Sequence, residues 1–336
     1  MADAHPKAPD YRIEVDGQVI TPTVRRVLSS LRLTDHSGGD ADELKLDLVD
    51  DGSLAIPPTG VTIRVAIGWQ GDGLTDRGHF TADEIEHSGA PDTLSILARS
   101  ANMRARLPGK KTKSWDDIAI GAIINTIAGT HDIDHRVEDD LADTVIPHID
   151  QTDESDLNFL TRLGERFDAV AAVKDDKLLF LPAGQGQTVS GQSLPSAHLT
   201  RADGDRHRYS ITDRDSTSGV TADWHRVDDG DKHTVVAGKQ DHAKHLRAVF
   251  ATEDDALAAA QSEWQRIQRG ERRLSYTLAE GRADLVAEMP VQISGLPSPI
   301  DGIGWQIKTA THNLTASGYT TDLKLEMIGQ SRDSGP

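Results

Sequence analysis

Gly78-His79-Phe80-Thr81-Ala82-Asp83-Glu84-Ile85-Glu86-His87, followed by Asp92-Thr93-Leu94-Ser95-Ile96, has a counterpart far down the same chain. The second copy reads Gly304-Trp305-Gln306-Ile307-Lys308-Thr309-Ala310-Thr311-His312, followed by Thr321-Asp322-Leu323-Lys324-Leu325. The aromatic and the histidine keep one offset, since 305 minus 80 and 312 minus 87 both give 225. A proline and then alternating apolar residues precede each copy: Pro58, Val61, Ile63 and Val65 in the first, Pro290, Val291 and Ile293 in the second. An aromatic-to-histidine hairpin repeated at this distance predicts two related β-domains, one toward each end of the chain. Through symmetry, the repeat also bears on what the protein assembles with.

Working outward from the first copy, residues 11–100 read as almost wholly β. Residues 11–15, an Asp16-Gly17 turn and residues 18–20 make an opening hairpin. Leu44, Leu46 and Leu48 point one way with Lys45 and Asp47 the other, and Val61, Ile63, Val65 and Ile67 alternate likewise. Short strands between Gly, Asp and Pro turns predict a small antiparallel barrel or sandwich.

The pattern changes at Leu107-Pro108-Gly109. Ser114-Trp115-Asp116-Asp117 reads as a capping box ahead of a helix carrying Ile118, Ile120, Ile123, Ile124 and Ile127, with Gly129 placed to stop it. A second helix is expected from Thr152 or Asp153, burying Leu157, Leu160, Leu163 and Phe167. A hairpin of residues 169–173 and 178–181 follows, turning at Asp175-Asp176. Ala183-Gly184-Gln185-Gly186-Gln187 is a polar connector, after which β-like runs return at 208–211, 219–227 and 233–236. One helix interrupts them, capped at Thr252-Glu253-Asp254-Asp255, lined by Leu257, Ala260, Trp264 and Ile267, and ended by Gly270. Strand signals resume at 273–279 and 291–328. The expected fold class is α+β, mainly β, with two antiparallel β-barrel or sandwich domains and an inserted α+β domain. The expected boundaries are 1–106 for the first β-domain, 107–183 for the insert, 184–206 for a linker, 207–330 for the second β-domain and 331–336 for a flexible tail.

At 336 residues the chain is long enough for two or three domains with separate cores. It has no cysteine, so disulfides and thiolate metal sites are excluded and the fold rests on packing. No apolar run approaches the ~20 residues that span a bilayer, and the first ten residues lack an apolar core segment, so a soluble chain without a secretion signal is expected. The net charge of −18 opposes wrapping of nucleic acid, which needs clustered Lys and Arg. The densest basic stretch, Arg99, Arg104, Arg106, Lys110, Lys111 and Lys113, has no aromatic interleaving and reads as a solvated linker.

Chemistry is hard to find in this sequence. His131-Asp132-Ile133-Asp134-His135 gathers two imidazoles and two carboxylates, but it follows the expected helix stop and reads as a polar loop rather than a metal site. His242 and His245 have no nearby carboxylate in sequence except Asp241. There is no G-x-S-x-G turn and no H-E-x-x-H helix. Paired carboxylates for glycoside hydrolysis cannot be singled out among 54 acidic residues. No catalytic, cofactor or metal residue is nominated. Phe80 and Trp305 are expected in barrel cores, and His87 and His312 at hairpin ends or subunit contacts; these four are the candidate structural or interface residues.

The stretch Gln151-Thr152-Asp153-Glu154-Ser155-Asp156-Leu157-Asn158-Phe159-Leu160-Thr161-Arg162-Leu163-Gly164-Glu165-Arg166-Phe167, running into Asp176-Lys177-Leu178-Leu179-Phe180, resembles the late control D proteins of contractile-tailed phages. In that family an acid-capped helix leads into a hairpin with an apolar second strand. The helix from Trp115 through Ile127 and the hairpin from Gly304-Trp305 to Gly318-Tyr319-Thr320-Thr321 are similar to its flanking elements. The resemblance implies a baseplate hub joining the sixfold tail tube to the threefold central spike, related to the opening module of type VI secretion spike proteins. It implies tail-tube-like β-domains, a homotrimer with a central channel, and tube, spike and tape-measure proteins as partners, with DNA only in passage. It places the protein in the virion tail baseplate, assembled in the host cytoplasm. Without a fused oligonucleotide-fold and needle, hub and spike are expected to be separate polypeptides. A tail-associated cell-wall hydrolase is the alternative reading. A DNA-binding regulator is opposed by the charge.

Overall fold

The computed structural model describes residues 7–38, 40–52, 55–100, 107, 109–174, 177–183, 194–211, 217–225 and 231–328. The first β-domain contains β1 (Pro9–Val15), β2 (Gln18–Val19), the short helix α1 (Thr21–Val24), β3 (Leu28–His36), β4 (Glu43–Val49), β5 (Thr62–Trp69), β6 (Gly73–Ser88) and β7 (Thr93–Arg99). Asp16 and Gly17 both take positive φ, 47° and 80°, which is the mirror-image turn that a two-residue hairpin needs. The alternation is used as its period dictates: Leu44, Leu46 and Leu48 on β4 and Ile63, Val65 and Ile67 on β5 are buried in one core with Leu31, Leu33 and Phe80.

The middle of the chain forms β8 (Lys110–Ala119), α2 (Ile120–Thr130), β9 (Asp134–Val137), α3 (Asp139–Ala142), β10 (Val145–Ser155), α4 (Asp156–Phe167), β11 (Ala169–Lys174) and β12 (Lys177–Pro182). Here the capping box is overruled. Residues 114–117 lie within β8, which pairs with β10 from Ala119↔Val145 to Lys110↔Ser155. Trp115 stacks on Phe159 with centroids 6.0 Å apart, and the Ser114 hydroxyl donates to Asp150 at 2.6 Å. The residues that resembled a cap therefore have strand partners, and α2 starts one turn later with no side-chain cap. Gly129 does not stop this helix, which runs on to Thr130. The basic stretch is also not a linker in its described part: Arg99 lies in β7 and pairs with Asp83, while Lys110 and Lys111 lie in β8 and pair with Asp153 and Asp156. Arg104 and Arg106 fall outside the described residues.

Helix α4 begins at Asp156, later than expected, where the Ser155 hydroxyl accepts from the Asn158 N–H. It ends on Asp168 in the left-handed region. Phe159, Leu160 and Leu163 are buried in the insert's core, with Leu157 and Phe167 partly buried around it. The expected turn at Asp175-Asp176, the connector at 184–187 and the tail at 331–336 lie outside the described residues.

The last part comprises β13 (Ala197–Thr200), β14 (Gly204–Ile211), β15 (Gly219–His225), β16 (Lys232–Gly238), β17 (Lys244–Phe250), α5 (Glu253–Glu271), β18 (Arg272–Leu278), β19 (Pro290–Ser294), β20 (Trp305–Thr315) and β21 (Gly318–Met327). Strand β13 and the start of β14 thus occupy part of the stretch read as a linker. Thr252 caps α5 by accepting from the Asp255 N–H. That helix packs on the small sheet β16-β15-β17 through Ala256 and Ala260. His245 on β17 has a carboxylate partner that the sequence hid: its Nε2 lies 3.0 Å from Asp223. No helix among the described residues is long and apolar enough to cross a membrane.

The two β-domains repeat one another in topology. The first runs β3-β4-β7-β6-β5-β1 and the second β14-β18-β21-β20-β19-β13, in a single sheet of 13 strands among the described residues. Each order is visited in the same sequence along the chain. Even the irregularities match. In β6 the register against β7 skips Asp83, and in β20 the register against β21 skips Lys308, again 225 positions apart. The first strands skip Ser29 and Asp205 respectively. Bulges bend a strand at a fixed place, so their coincidence marks one design used twice. The copies differ at two points: β13 joins β19 in parallel where β1 joins β5 antiparallel, and the β15–α5 segment is inserted where the first copy turns directly from β3 to β4.

Candidate assembly interface

Strand β20 serves both domains. Its start pairs with β19, and residues 309–315 pair antiparallel with β3, from Thr309↔His36 to Thr315↔Ser30. The two β-domains are therefore fused edge to edge. Leu314, Tyr319 and Ala283 of the second domain lie in the core of the first. Trp69 completes the contact, with its indole N–H donating to the Gly281 carbonyl at 2.7 Å and its ring 5.3 Å from that of Tyr319.

A buried polar network fixes this seam. Asp35 on β3 and Arg77 on β6 form an ion pair at 3.1 Å, with side chains only 8% and 5% exposed. Arg77 also donates to the carbonyls of Ala283 and Leu285, at 3.2 and 3.5 Å, and Asp35 accepts from the Ala287 N–H at 3.1 Å. The segment leading into β19 is thereby clamped to the first domain. His312 sits beneath it, fully buried, with Nε2 3.2 Å from the Leu285 carbonyl. A carbonyl only accepts, so Nε2 carries the proton and Nδ1 accepts from the Tyr319 hydroxyl at 2.9 Å. Burial, reinforced by the nearby Arg77 charge, lowers the His312 pKa to about 3 and keeps the ring neutral. Burial likewise pushes the Tyr319 phenol upward.

The four residues singled out in the sequence take different places. Phe80 and Trp305 are core residues of the first and second domains, and the Trp305 N–H donates to the Ile300 carbonyl at 3.2 Å. His312 lies in the seam. His87, at the matching position, is partly exposed and pairs with Asp50 at 3.0 Å. The structure does not bring His87 and His312 together, since they belong to separate copies. Asp35 and Arg77 were missed. The available signal was an acidic residue at Asp35 where the alternation Leu31, Leu33 calls for an apolar one.

The polar clusters elsewhere have structural partners. His131 turns to Asp156 at 2.7 Å, and Asp156 also meets Lys111 at 2.5 Å and Gln151 at 2.9 Å. Burial, the largest influence, pushes the Asp156 carboxyl up, but the hydrogen bonds outweigh it and hold the group below its ordinary range. Among the described residues no three His, Asp or Glu side chains gather as a metal site. The insert is latched to α5 by Arg166 with Asp255 at 2.8 Å and by Arg269 with Asp168.

The family model for the phage tail baseplate hub (GPD) matches residues 43–318. The probable baseplate hub protein of Escherichia phage P2 is 41% identical over 360 residues, covering 95% of this chain and 93% of that protein. That of Escherichia phage 186 is 41% identical over 362 residues, with the same coverage. Among solved structures, the 43 kDa tail protein of prophage MuSo2 from Shewanella oneidensis superposes with a TM-score of 0.68 at 14% identity, covering 95% of this chain and 98% of that one. A type VI secretion component of E. coli, described as similar to the T4 bacteriophage tail proteins gp27 and gp5, superposes with a TM-score of 0.56 at 12% identity, covering 96% of this chain and 78% of that one. At such identities these structures speak for the fold alone, whereas the family match and the phage relatives span most of the sequence. The chain belongs to the phage tail baseplate hub family, as a structural component of the virion tail.

Proposed function

We propose that three copies of this chain form a ring with a central channel that joins the sixfold tail tube to the threefold spike. The observation that carries this reading is the edge-to-edge fusion of two β-domains with one strand order. Three such chains present six similar domains toward the tube while keeping threefold symmetry toward the spike. The role is mechanical rather than enzymatic, and the net charge of −18 suits a lumen that DNA and the tape-measure protein cross without adhering. Assembly takes place in the host cytoplasm.

Mass photometry and negative-stain microscopy of the full chain, alone and co-expressed with tube and spike proteins, test this. A ring of three chains that retains both partners is expected. A stable monomer that binds neither would sink the proposal. Peptidoglycan zymography addresses the mechanical role separately, where clearing abolished by one carboxylate substitution would replace it with a hydrolase.

A further inference from the structure

The seam inside the chain has an unfilled counterpart. In the second domain, residues 309–315 of β20 are covered by β3. In the first domain the matching half of β6, residues 83–88, pairs with β7 on one side and with no second strand among the described residues. At the other end of the sheet β14, the counterpart of β3, pairs only with β18 among the described residues. One domain edge thus lacks a β3-like strand, and the other edge is a β3-like strand lacking a β20-like one. The contact is head to tail, so repeating it links chain to chain, and the series becomes a ring where the rotation closes.

We infer that residues 83–88 of β6 pair antiparallel with β14 of a second copy of this chain, Ile85 opposite Ile211, Glu86 opposite Ser210 and His87 opposite Tyr209. This deepens the ring proposed above and rests on it. The register is fixed by the intrachain seam. His87 corresponds to His312 through the repeat, and the two sheets, traced strand by strand across their matching bulges, set Leu33 against Tyr209 and Thr34 against Ser210. His312 faces Leu33 and Thr311 faces Thr34 in the seam, so His87 faces Tyr209 and Glu86 faces Ser210 in its copy.

Side-chain chemistry agrees with this register. Ile211 is 55% exposed although its strand position corresponds to the buried Asp35, and Ile85 is only partly covered. Ile56 is 56% exposed on the segment leading into β5, the counterpart of the segment that covers Asp35 in the seam. These isoleucines would close on one another. On the opposite face Glu84 and Glu86 make no ion pair among the described residues, and β14 places Arg208 opposite Ser88, one diagonal step from Glu86. Arg208 corresponds to Arg32, which spans the seam to Asn313 at 3.1 Å. Opposite charges on facing strands favour this pairing over β14 with β14 or β6 with β6.

The absence of cysteine makes the register directly measurable. In the full chain, Glu86→Cys with Ser210→Cys should oxidise to a covalent trimer on a non-reducing gel, whether the chain is purified alone or with tube and spike proteins. Mixing the two single variants should give cross-linked pairs, which covers the case of a double variant that fails to fold. Thr34→Cys with Thr311→Cys is the internal standard, since these hydroxyls lie 3.5 Å apart across the seam. Glu86→Cys with Tyr209→Cys, one residue out of register, should cross-link at least tenfold less. Equal cross-linking out of register would overturn the pairing. A trimer that stays uncrosslinked at 86 and 210 while the standard oxidises would also overturn it and leave the hub reading intact. A monomer under every condition would overturn both.

Discussion

Asp35 holds a core position on β3 because its Oδ2 accepts from two donors: the charged Arg77 guanidinium and the Ala287 backbone N–H. Removing one partner strands the other. Asp35→Asn is expected to cost about 3–5 kcal/mol, whereas Asp35→Leu with Arg77→Met should cost less than the sum of the single changes. Urea unfolding of the four proteins checks this. His312 gives a pH signature at the same place, among Asp35, Arg77, Asp284 and Tyr319. Its pKa in the fold, about 3, lies below the unfolded value near 6.5, so unfolding takes up a proton between them and stability falls as pH drops through that window. Between pH 6.5 and 5, above most carboxylate titration, the loss should be about 1.5 kcal/mol. His312→Gln should flatten that part of a stability-versus-pH curve, and an unchanged slope would remove His312 as its cause. In the sequence Asp35 showed only as a misfit in the apolar alternation of Leu31 and Leu33, and nothing named its partner or set His312 apart from His87. Asp35 and Arg77 lie 42 positions apart, and the two histidines at matching positions gave no sign that one is buried and the other partly exposed.

Elements were legible where one local rule acted alone. Strand β4 follows a period of two because one face is buried, and α5 starts at Thr252 because that hydroxyl can satisfy a free N–H of the first turn. Thr252→Ala should therefore lower stability by about 1 kcal/mol, read as a small shift of the thermal transition. The effect should be amplified locally, since Asp255 in that first turn also holds Arg166 of α4. Hydrogen exchange of α5 should accelerate more than that of β4. Strand β8 shows where local reading fails. Ser114 and Asp116 carry helix-cap chemistry, yet Ser114 bonds Asp150 and Asp116 bonds His148 on the facing strand β10. Those partners lie more than 30 positions away, and Trp115 is buried in the insert's core, where it stacks on Phe159. A capping residue and a cross-strand residue have the same side chain, so only the long-range partner distinguishes them.

At the scale of the molecule, the repeat was visible in sequence through Phe80, His87, Trp305 and His312, but the way its copies join was not. The 225-residue offset identifies matching positions without saying that β20 reaches across to β3. That contact makes the first β-domain depend on the last third of the chain, since its core includes Leu314 and Tyr319. Two consequences separate this arrangement from a pair of independent domains on a tether. A chain cut at a protease site introduced between residues 187 and 188 should still elute as one particle at micromolar concentration, because the seven residue pairs of β20 with β3, the Asp35–Arg77 clamp and the Trp69 contact remain. Residues 1–183 expressed alone should instead expose the face that Leu314 and Tyr319 cover, bind a hydrophobic dye and recover on addition of residues 188–336. Separation of the two halves after cleavage would show that the seam is too weak to transmit force between neighbouring domains, and the head-to-tail logic by which the same contact builds a ring would lose its foundation.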